Sequence, residues 1–211
     1  EVNLGAKKFV KLHCLENPKV DAIFGIHNSP EIPVGTVAVK NGPLMASVDR
    51  ITFTIKGKGG HGGIPQRNVD PIVAAAAIIQ AAQTIVSRNV SPIDSAVVSI
   101  CNVRAGEGTT NNVTPDEVKM YGTVRAYKEE TQKLVERRLT EITKSISEAY
   151  GCEGSFVYLY ELAATVNNPK LYDTAYKAVT GIGATPVDPA PSTGGEDFSD
   201  FLKGGVPGFF Y

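Results

Sequence analysis

Charge of one sign is something this sequence does without. Its 21 basic and 22 acidic residues are spread along 211 positions and leave a net charge of −1. No basic stripe forms of the kind that collects phosphate backbones, so nucleic acid is excluded as an expected partner. Long apolar runs are missing too. The most apolar stretch, Pro71 to Val86, is broken by Gln80 and Gln83, is too short to span a bilayer, and is expected as a buried helix. No membrane partner is expected. The first residues show no basic segment followed by an apolar one, so no signal peptide is read there, and Glu1 in place of methionine points to a trimmed terminus or a fragment. Cysteine is scarce: Cys14, Cys101 and Cys152 are odd in number, far apart and without a C-x-x-C pair. That excludes a disulfide framework and a structural zinc cluster, and free thiols fit a reducing cytoplasm.

What is present is an ordinary globular composition, 42% apolar, with an orderly change of period along the chain. Arg50 to Lys56, RITFTIK, alternates with period two and predicts a half-buried strand. Asp70-Pro71 supplies an N-cap and a first-turn proline for a helix reaching about Arg88, with Ile72, Ala76, Ile79 and Val86 on one stripe. Ser95 to Val103 and Val118 to Tyr127 are β-branched and strand-like. Val135, Leu139, Ile142, Ile146 and Ala149 then mark an amphipathic helix that Gly151 can end, and Ser155 to Leu162 predicts a last strand. Strand, helix, strand, strand, helix, strand is the ferredoxin-like plan, an antiparallel sheet with two helices on one face. The expected fold class is therefore α+β, with this unit over residues 48–163. The flanks, 1–47 and 164–211, are each too small to bury a core, so they are expected to form part of a second domain into which the first is inserted.

Few residues are set up for chemistry. In Lys58 to Pro65, KGGHGGIP, His61 stands among four glycines, which let backbone approach closely and turn freely, so an exposed, reaching imidazole is expected. His27 ends the apolar strand Ala22 to Ile26 and reads either as a metal ligand or general base or as a capped loop histidine. Adjacent helical positions diverge, so His13 beside Cys14 is given no role. The loop Gly106 to Glu117 carries Asn111 and Asn112, and Arg125 lies near the end of the next strand. Either these satisfy turn and edge geometry, or an amide and a guanidinium converge on a carboxylate. Glu196 and Asp197 read as first-turn carboxylates or as groups facing a cationic or metal-containing cleft.

The segments GIHNSPEIPVGTVAVKNGPLMASVD, KGKGGHGGIPQRNVDPI, TIVSRNVSPIDSAVVSI, TTNNVTPDEVKMYGTVRAY and GGEDFSDFL together resemble the amidohydrolase branch of the aminoacylase and glutamate-carboxypeptidase superfamily of two-metal peptidases. The resemblance runs through nearly all of the chain in unbroken order. It implies partial pieces of an α/β zinc-peptidase catalytic domain at 1–47 and 164–211, with an inserted ferredoxin-like lid that makes a homodimer. It implies hydrolysis of N-acyl amino acids or small peptides, with two divalent transition-metal ions, zinc, manganese, cobalt or nickel. By the same resemblance His27 and Glu1 are metal ligands, His61 reaches the partner subunit's active site to polarise the scissile carbonyl, and Asn112 and Arg125 bind the substrate's carbonyl and carboxylate. The general-base glutamate would directly precede Glu1, and further ligand segments would lie beyond both ends. The piece alone then offers at most two ligands and is expected to be inactive. A non-enzymatic ferredoxin-like dimerisation or small-ligand-binding module is the competing expectation.

Overall fold

The computed structural model describes residues 5–106 and 110–211. The chain divides into two compact units, Asp49–Glu161 on one hand and the segment ending at Val48 together with Leu162–Tyr211 on the other.

In the unit 49–161 the elements are β1 (Val48–Lys56), α1 (Pro71–Thr84), β2 (Ala96–Ala105), β3 (Glu117–Ala126), α2 (Glu129–Ala149) and β4 (Glu153–Leu162). They form one four-stranded sheet in the order β2, β3, β1, β4. β1 lies antiparallel to β3 from Asp49 opposite Val124 to Lys56 opposite Glu117, and β2 lies antiparallel to the other side of β3. Alternation in β1 sends Ile51, Phe53 and Ile55 to one face and Arg50, Thr52, Thr54 and Lys56 to the other. The first set packs with Val118, Met120 and Val124 of β3, with Ala74, Ala75, Ile78 and Ala82 of α1, and with Val135, Leu139 and Ile142 of α2. Both helices therefore cover one face. Removing each large apolar side chain from water there contributes on the order of 1.5–3 kcal/mol.

Local chemistry fixes the helix ends. Asp70 Oδ1 accepts from the Ile72 amide at 2.8 Å, and Pro71 occupies the first turn. At the other end α1 runs into a π-helical turn, Ile85–Asn89, and together they make 19 residues. By length and composition alone that is enough to cross a membrane, which corrects the expectation of a run too short to do so. The buried stripe is Ala74, Ala75, Ile78, Ala82 and Ile85, whereas Ile72 and Val73 are 46% and 49% exposed. The stripe read from the sequence is thus displaced, because a helix apolar on every side carries no periodic signal. α2 ends as expected: Gly151 takes φ 72°, and the Cys152 amide donates to the Ser147 carbonyl at 2.8 Å.

Where the chain enters and leaves this unit, a buried carboxylate joins three elements. Asp49 is 1% exposed, and its Oδ2 accepts from Gln132 Nε2 of α2 and from the Tyr158 hydroxyl of β4, both at 2.7 Å. On the opposite face Arg50 pairs with Glu161 at 2.5 Å.

In the other unit, each strand pair takes one strand from each flank. Ile23–Gly25 is parallel to Gly208–Phe210, Thr36–Ala38 is parallel to Thr185–Val187, and Gly42–Met45 is antiparallel to Thr165–Asn167. Val39, Ala175, Val179 and Phe209 form a core beneath them. Asn167 links two of these pairs through its side chain: it receives the Phe210 amide at 2.8 Å and donates to the Phe210 and Lys40 carbonyls at 2.9 and 3.0 Å.

Burial pushes the Tyr158 hydroxyl well above its usual range, and the Asp49 carboxylate beside it pushes it further. An unfolded tyrosine ionises near pH ~10, so this contribution to stability is complete below that pH and is lost as pH rises past it. Urea midpoints measured from about pH 8 to about pH 11 should fall, and should fall less steeply in Tyr158→Phe. Tyr160 is raised in the same direction by burial, so some slope will remain. Equal slopes in the two proteins would contradict this account.

Candidate functional site

Beyond Lys56 and Glu117 the β1–β3 ladder continues outward as a short ribbon, Gly60–His61 antiparallel to Val113–Thr114. The Gly57 amide donates to the Asp116 carbonyl and the Gly59 amide to Asp116 Oδ1, both at 2.8 Å. Lys58 and Val69 exchange a pair of backbone bonds at 2.8 and 2.9 Å. His61 stands at the exposed tip, opposite Val113, and the Gly62 amide donates to the Asn112 carbonyl at 2.7 Å. Two of the expected site residues, His61 and Asn112, are thereby brought together.

The glycines around His61 act through space. Gly57, Gly59, Gly60, Gly62 and Gly63 are all outside the left-handed region. A Cβ at Gly57 would lie 2.1 Å from the Val69 carbonyl oxygen, at Gly59 2.6 Å from that of Thr114, and at Gly63 3.0 Å from the His61 ring. The expectation that they allow close approach holds, and the expectation of free turning does not. They are glycine because backbone packs against backbone and ring here.

That packing sets the proton on His61. The Gly63 amide donates to Nδ1 at 2.9 Å, so Nδ1 is the acceptor and the neutral ring carries its hydrogen on Nε2. The outer edge of the imidazole is therefore a hydrogen-bond donor. Asn68, unremarked in the sequence, donates through Nδ2 to the His61 carbonyl at 3.1 Å and to Thr114 Oγ1 at 3.3 Å.

Arg125 is elsewhere. It lies opposite Val97 on the helix-free face of the sheet, and Nη1 donates to Thr123 Oγ1 at 2.5 Å and to the Val124 carbonyl at 3.2 Å. Thr123 Oγ1 in turn donates to the Asp49 carbonyl at 2.9 Å. Eight residues separate Glu117 from Arg125, which at about 3.3 Å per residue is roughly 26 Å along the strand. Within one chain the Asn112 amide and the Arg125 guanidinium do not converge.

In the other unit, His27 follows the strand Ile23–Gly25, with its amide donating to the Tyr211 carbonyl at 3.3 Å. Its Nδ1 is 2.7 Å from the Asn28 carbonyl oxygen, an atom that can only accept. Nδ1 must carry the hydrogen, and in the neutral ring Nε2 is left with a lone pair. This is the disposition of a histidine that ligates a metal through Nε2 while a carbonyl holds the other nitrogen. Glu196 lies within electrostatic reach of His27. Burial raises its carboxyl above the usual range and Asp197 adds to the rise, while the Phe198 amide, donating at 3.3 Å, opposes it. Asp197 has a structural task, with Oδ2 accepting the Ala6 amide at 3.0 Å. Glu1 lies outside the described residues. Among the described residues no group of three or more His, Cys, Asp or Glu side chains is close enough to hold a metal. His13 sits past the end of the helix Gly5–Lys11 and contacts Glu16 at 2.7 Å.

Residues 47–151 match the family model of a peptidase dimerisation domain. The chain is 43% identical over 210 residues to an N-acetylcysteine deacetylase of Bacillus subtilis, covering 100% of this chain and 54% of that protein. It is 36% identical over 210 residues to thermostable carboxypeptidase 2 of Saccharolobus solfataricus, covering 98% of this chain and 51% of that one. A crystal structure described as a dinuclear metal-binding peptidase of the M20 family from Bacillus subtilis superposes with a TM-score of 0.79 at 38% identity, over 97% of this chain and 50% of that one. The chain spans about half the length of these relatives. On these similarities it belongs to the amidohydrolase branch of the aminoacylase and glutamate-carboxypeptidase superfamily, and its residues 47–151 are the peptidase dimerisation domain of an M20 protein.

Proposed function

We propose that the whole protein hydrolyses the amide bond of N-acyl amino acids or small peptides and depends on divalent transition metal for doing so. The observation that carries this reading is the opposite wiring of the two histidines. His27 is fixed with its Nε2 lone pair available, and His61 is fixed with its Nε2 as a donor. A relative named as a deacetylase and one named as a carboxypeptidase, both acting on amide bonds, support the same reaction class.

The residues described fit a metal in part. His27 offers a preoriented nitrogen, and Glu196 offers a carboxylate in electrostatic reach of it. Zinc, manganese, cobalt and nickel all suit such a nitrogen and oxygen set. A bound pair of divalent ions supplies Lewis acidity and a water made acidic enough to attack a carbonyl. His61 donates its Nε2 hydrogen to the substrate's carbonyl oxygen and stabilises the negative charge that develops there. Because His61 projects from the tip of the dimerisation domain, we infer that it serves a substrate bound by a second copy, with Asn112 beside it. Arg125 presents a guanidinium of five N–H donors, suited to the carboxylate of the amino acid. The separation of Arg125 from His61 along the strand supports a reading in which the two residues serve different sites of a dimer.

The second copy is expected against the edge strand β2 and the outward side of α1, where Ile72 and Val73 are about half exposed in this chain. Lysine at either position should leave the fold intact and shift the protein from dimer to monomer in sedimentation equilibrium. Dimers that persist in the double variant would place the interface elsewhere.

Activity is tested in the whole protein by release of free amino acid from N-acetyl amino acids. Chelation should abolish it, and zinc, manganese, cobalt or nickel should restore it. His61→Ala should lower kcat on the order of 10²–10³-fold, the usual loss for one oxyanion donor. Its effect on unfolding should stay within about 0.5 kcal/mol, since the side chain is exposed. The 211-residue chain assayed by itself should release nothing. Metal-independent turnover, or a His61→Ala enzyme with unchanged kcat, would overturn the reading.

A further inference from the structure

We propose that Asn68 is a positioning residue for His61, gripping the ribbon on which the imidazole is carried. The ribbon has only two residue pairs, Gly60 with Thr114 and His61 with Val113. A two-stranded piece of that length does not hold itself in water. Asn68 crosses it: one amide nitrogen bonds the His61 carbonyl on one strand and Thr114 Oγ1 on the other. Since the His61 carbonyl can only accept, the orientation of the Asn68 amide is fixed, with Nδ2 toward the ribbon. Oδ1 then faces Gly60, where a Cβ would lie 2.2 Å from it, and the three atoms nearest to such a Cβ all belong to Asn68. Gly60 and Asn68 are thus matched in shape. The Asn68 backbone is itself held, its amide donating to the Pro65 carbonyl at 3.0 Å.

The consequence reaches the ring. The His61 carbonyl accepts from the Ile64 amide at 2.9 Å as well as from Asn68, so both of its lone pairs are engaged. This closes the turn that brings the Gly63 amide under Nδ1. Without the Asn68 amide, the His61 carbonyl keeps only its bond from Ile64 and the ribbon loses its cross-tie. The Gly63 bond that keeps Nε2 facing outward is then no longer enforced. The catalytic side of this inference rests on the function proposed above, and its structural side does not.

The test uses two observables. In the 211-residue chain labelled with ¹⁵N, scalar coupling across the N–H to N bond from Gly63 to His61 Nδ1 reports the ring's position directly. It should be present in the native chain and lost in Asn68→Asp, which keeps the shape and removes the donor, and in Asn68→Ala. Amide protection along the β1–β3 ladder should be unchanged in Asn68→Asp, which shows that the unit is folded. Gly60→Ala alone should lose the same coupling. Added to Asn68→Ala it should do no further harm to Gly63 amide protection, because the atoms it would strike are gone. Coupling that survives in Asn68→Asp, or additive effects of Gly60→Ala and Asn68→Ala, would overturn the proposal. In the whole protein, Asn68→Asp should lower kcat on the order of a hundredfold with KM nearly unchanged, as for a misplaced catalytic group. A normal kcat in a variant that has lost the coupling would also overturn it. An unimpaired His61→Ala would instead refute the proposed function, with the coupling measurement still deciding the role of Asn68.

Discussion

The antiparallel ladder between β1 and β3 is the constraint on which the placed groups of the dimerisation domain depend. Eight residue pairs run without a slip from Asp49 opposite Val124 to Lys56 opposite Glu117, and beyond a one-residue shift of register the short ribbon pairs Gly60 with Thr114 and His61 with Val113. Strand alternation gives the ladder one face for the core and one for solvent, so a slip by one residue would exchange Ile51, Phe53 and Ile55 with Arg50, Thr52 and Thr54. The buried residues therefore hold the register, and the register holds His61 at one end and Arg125 at the other. At the Arg125 end a continuous set of bonds runs from the guanidinium through Thr123 to the Asp49 backbone, while the Asp49 side chain reaches Gln132 and Tyr158. That end is tied into the core, whereas the His61 end is exposed and tied through backbone amides and one asparagine.

The two histidines illustrate how backbone alone selects chemistry. Each ring has one nitrogen engaged by a main-chain group, at 2.7 Å for His27 and 2.9 Å for His61. A carbonyl partner forces one nitrogen to carry hydrogen, and an amide partner forces it to be bare. The same side chain becomes a lone-pair donor in one place and a proton-bearing donor in the other. Hydrolysis of an amide by a metal-activated water calls for both kinds.

Much of this was legible in the sequence wherever the signal is local. RITFTIK alternates and is a strand, Asp70-Pro71 caps and opens a helix, and Gly151 ends one in the left-handed conformation. Other features depend on partners far along the chain. Ile72 and Val73 look like core residues by type, but an alanine-rich helix apolar on all sides does not say which side faces the sheet, and Ala74, Ala75 and Ile78 do so instead. Glycines at 59 and 60 look like freedom of turn, yet their reason is the proximity of Thr114 and Asn68. Asn68 carried no signal, since its importance lies in Thr114, 46 positions away. Glu196 stood out as an acidic residue in a glycine turn, but its relation to His27 appears only once the two flanks interleave.

The central claim is that His61 is a hydrogen-bond donor aimed through Nε2 at the carbonyl of a substrate held by a second copy. A crystal structure of the whole protein bound to an N-phosphinyl or similar tetrahedral analogue of an N-acyl amino acid tests it most directly. The expected result places His61 Nε2 at about 2.7–3.1 Å from the analogue's oxygen in the partner's site, the range for an oxyanion donor, with the Gly63 amide still on Nδ1. A bound analogue with every His61 turned to solvent, or with Nδ1 facing it, would contradict the account.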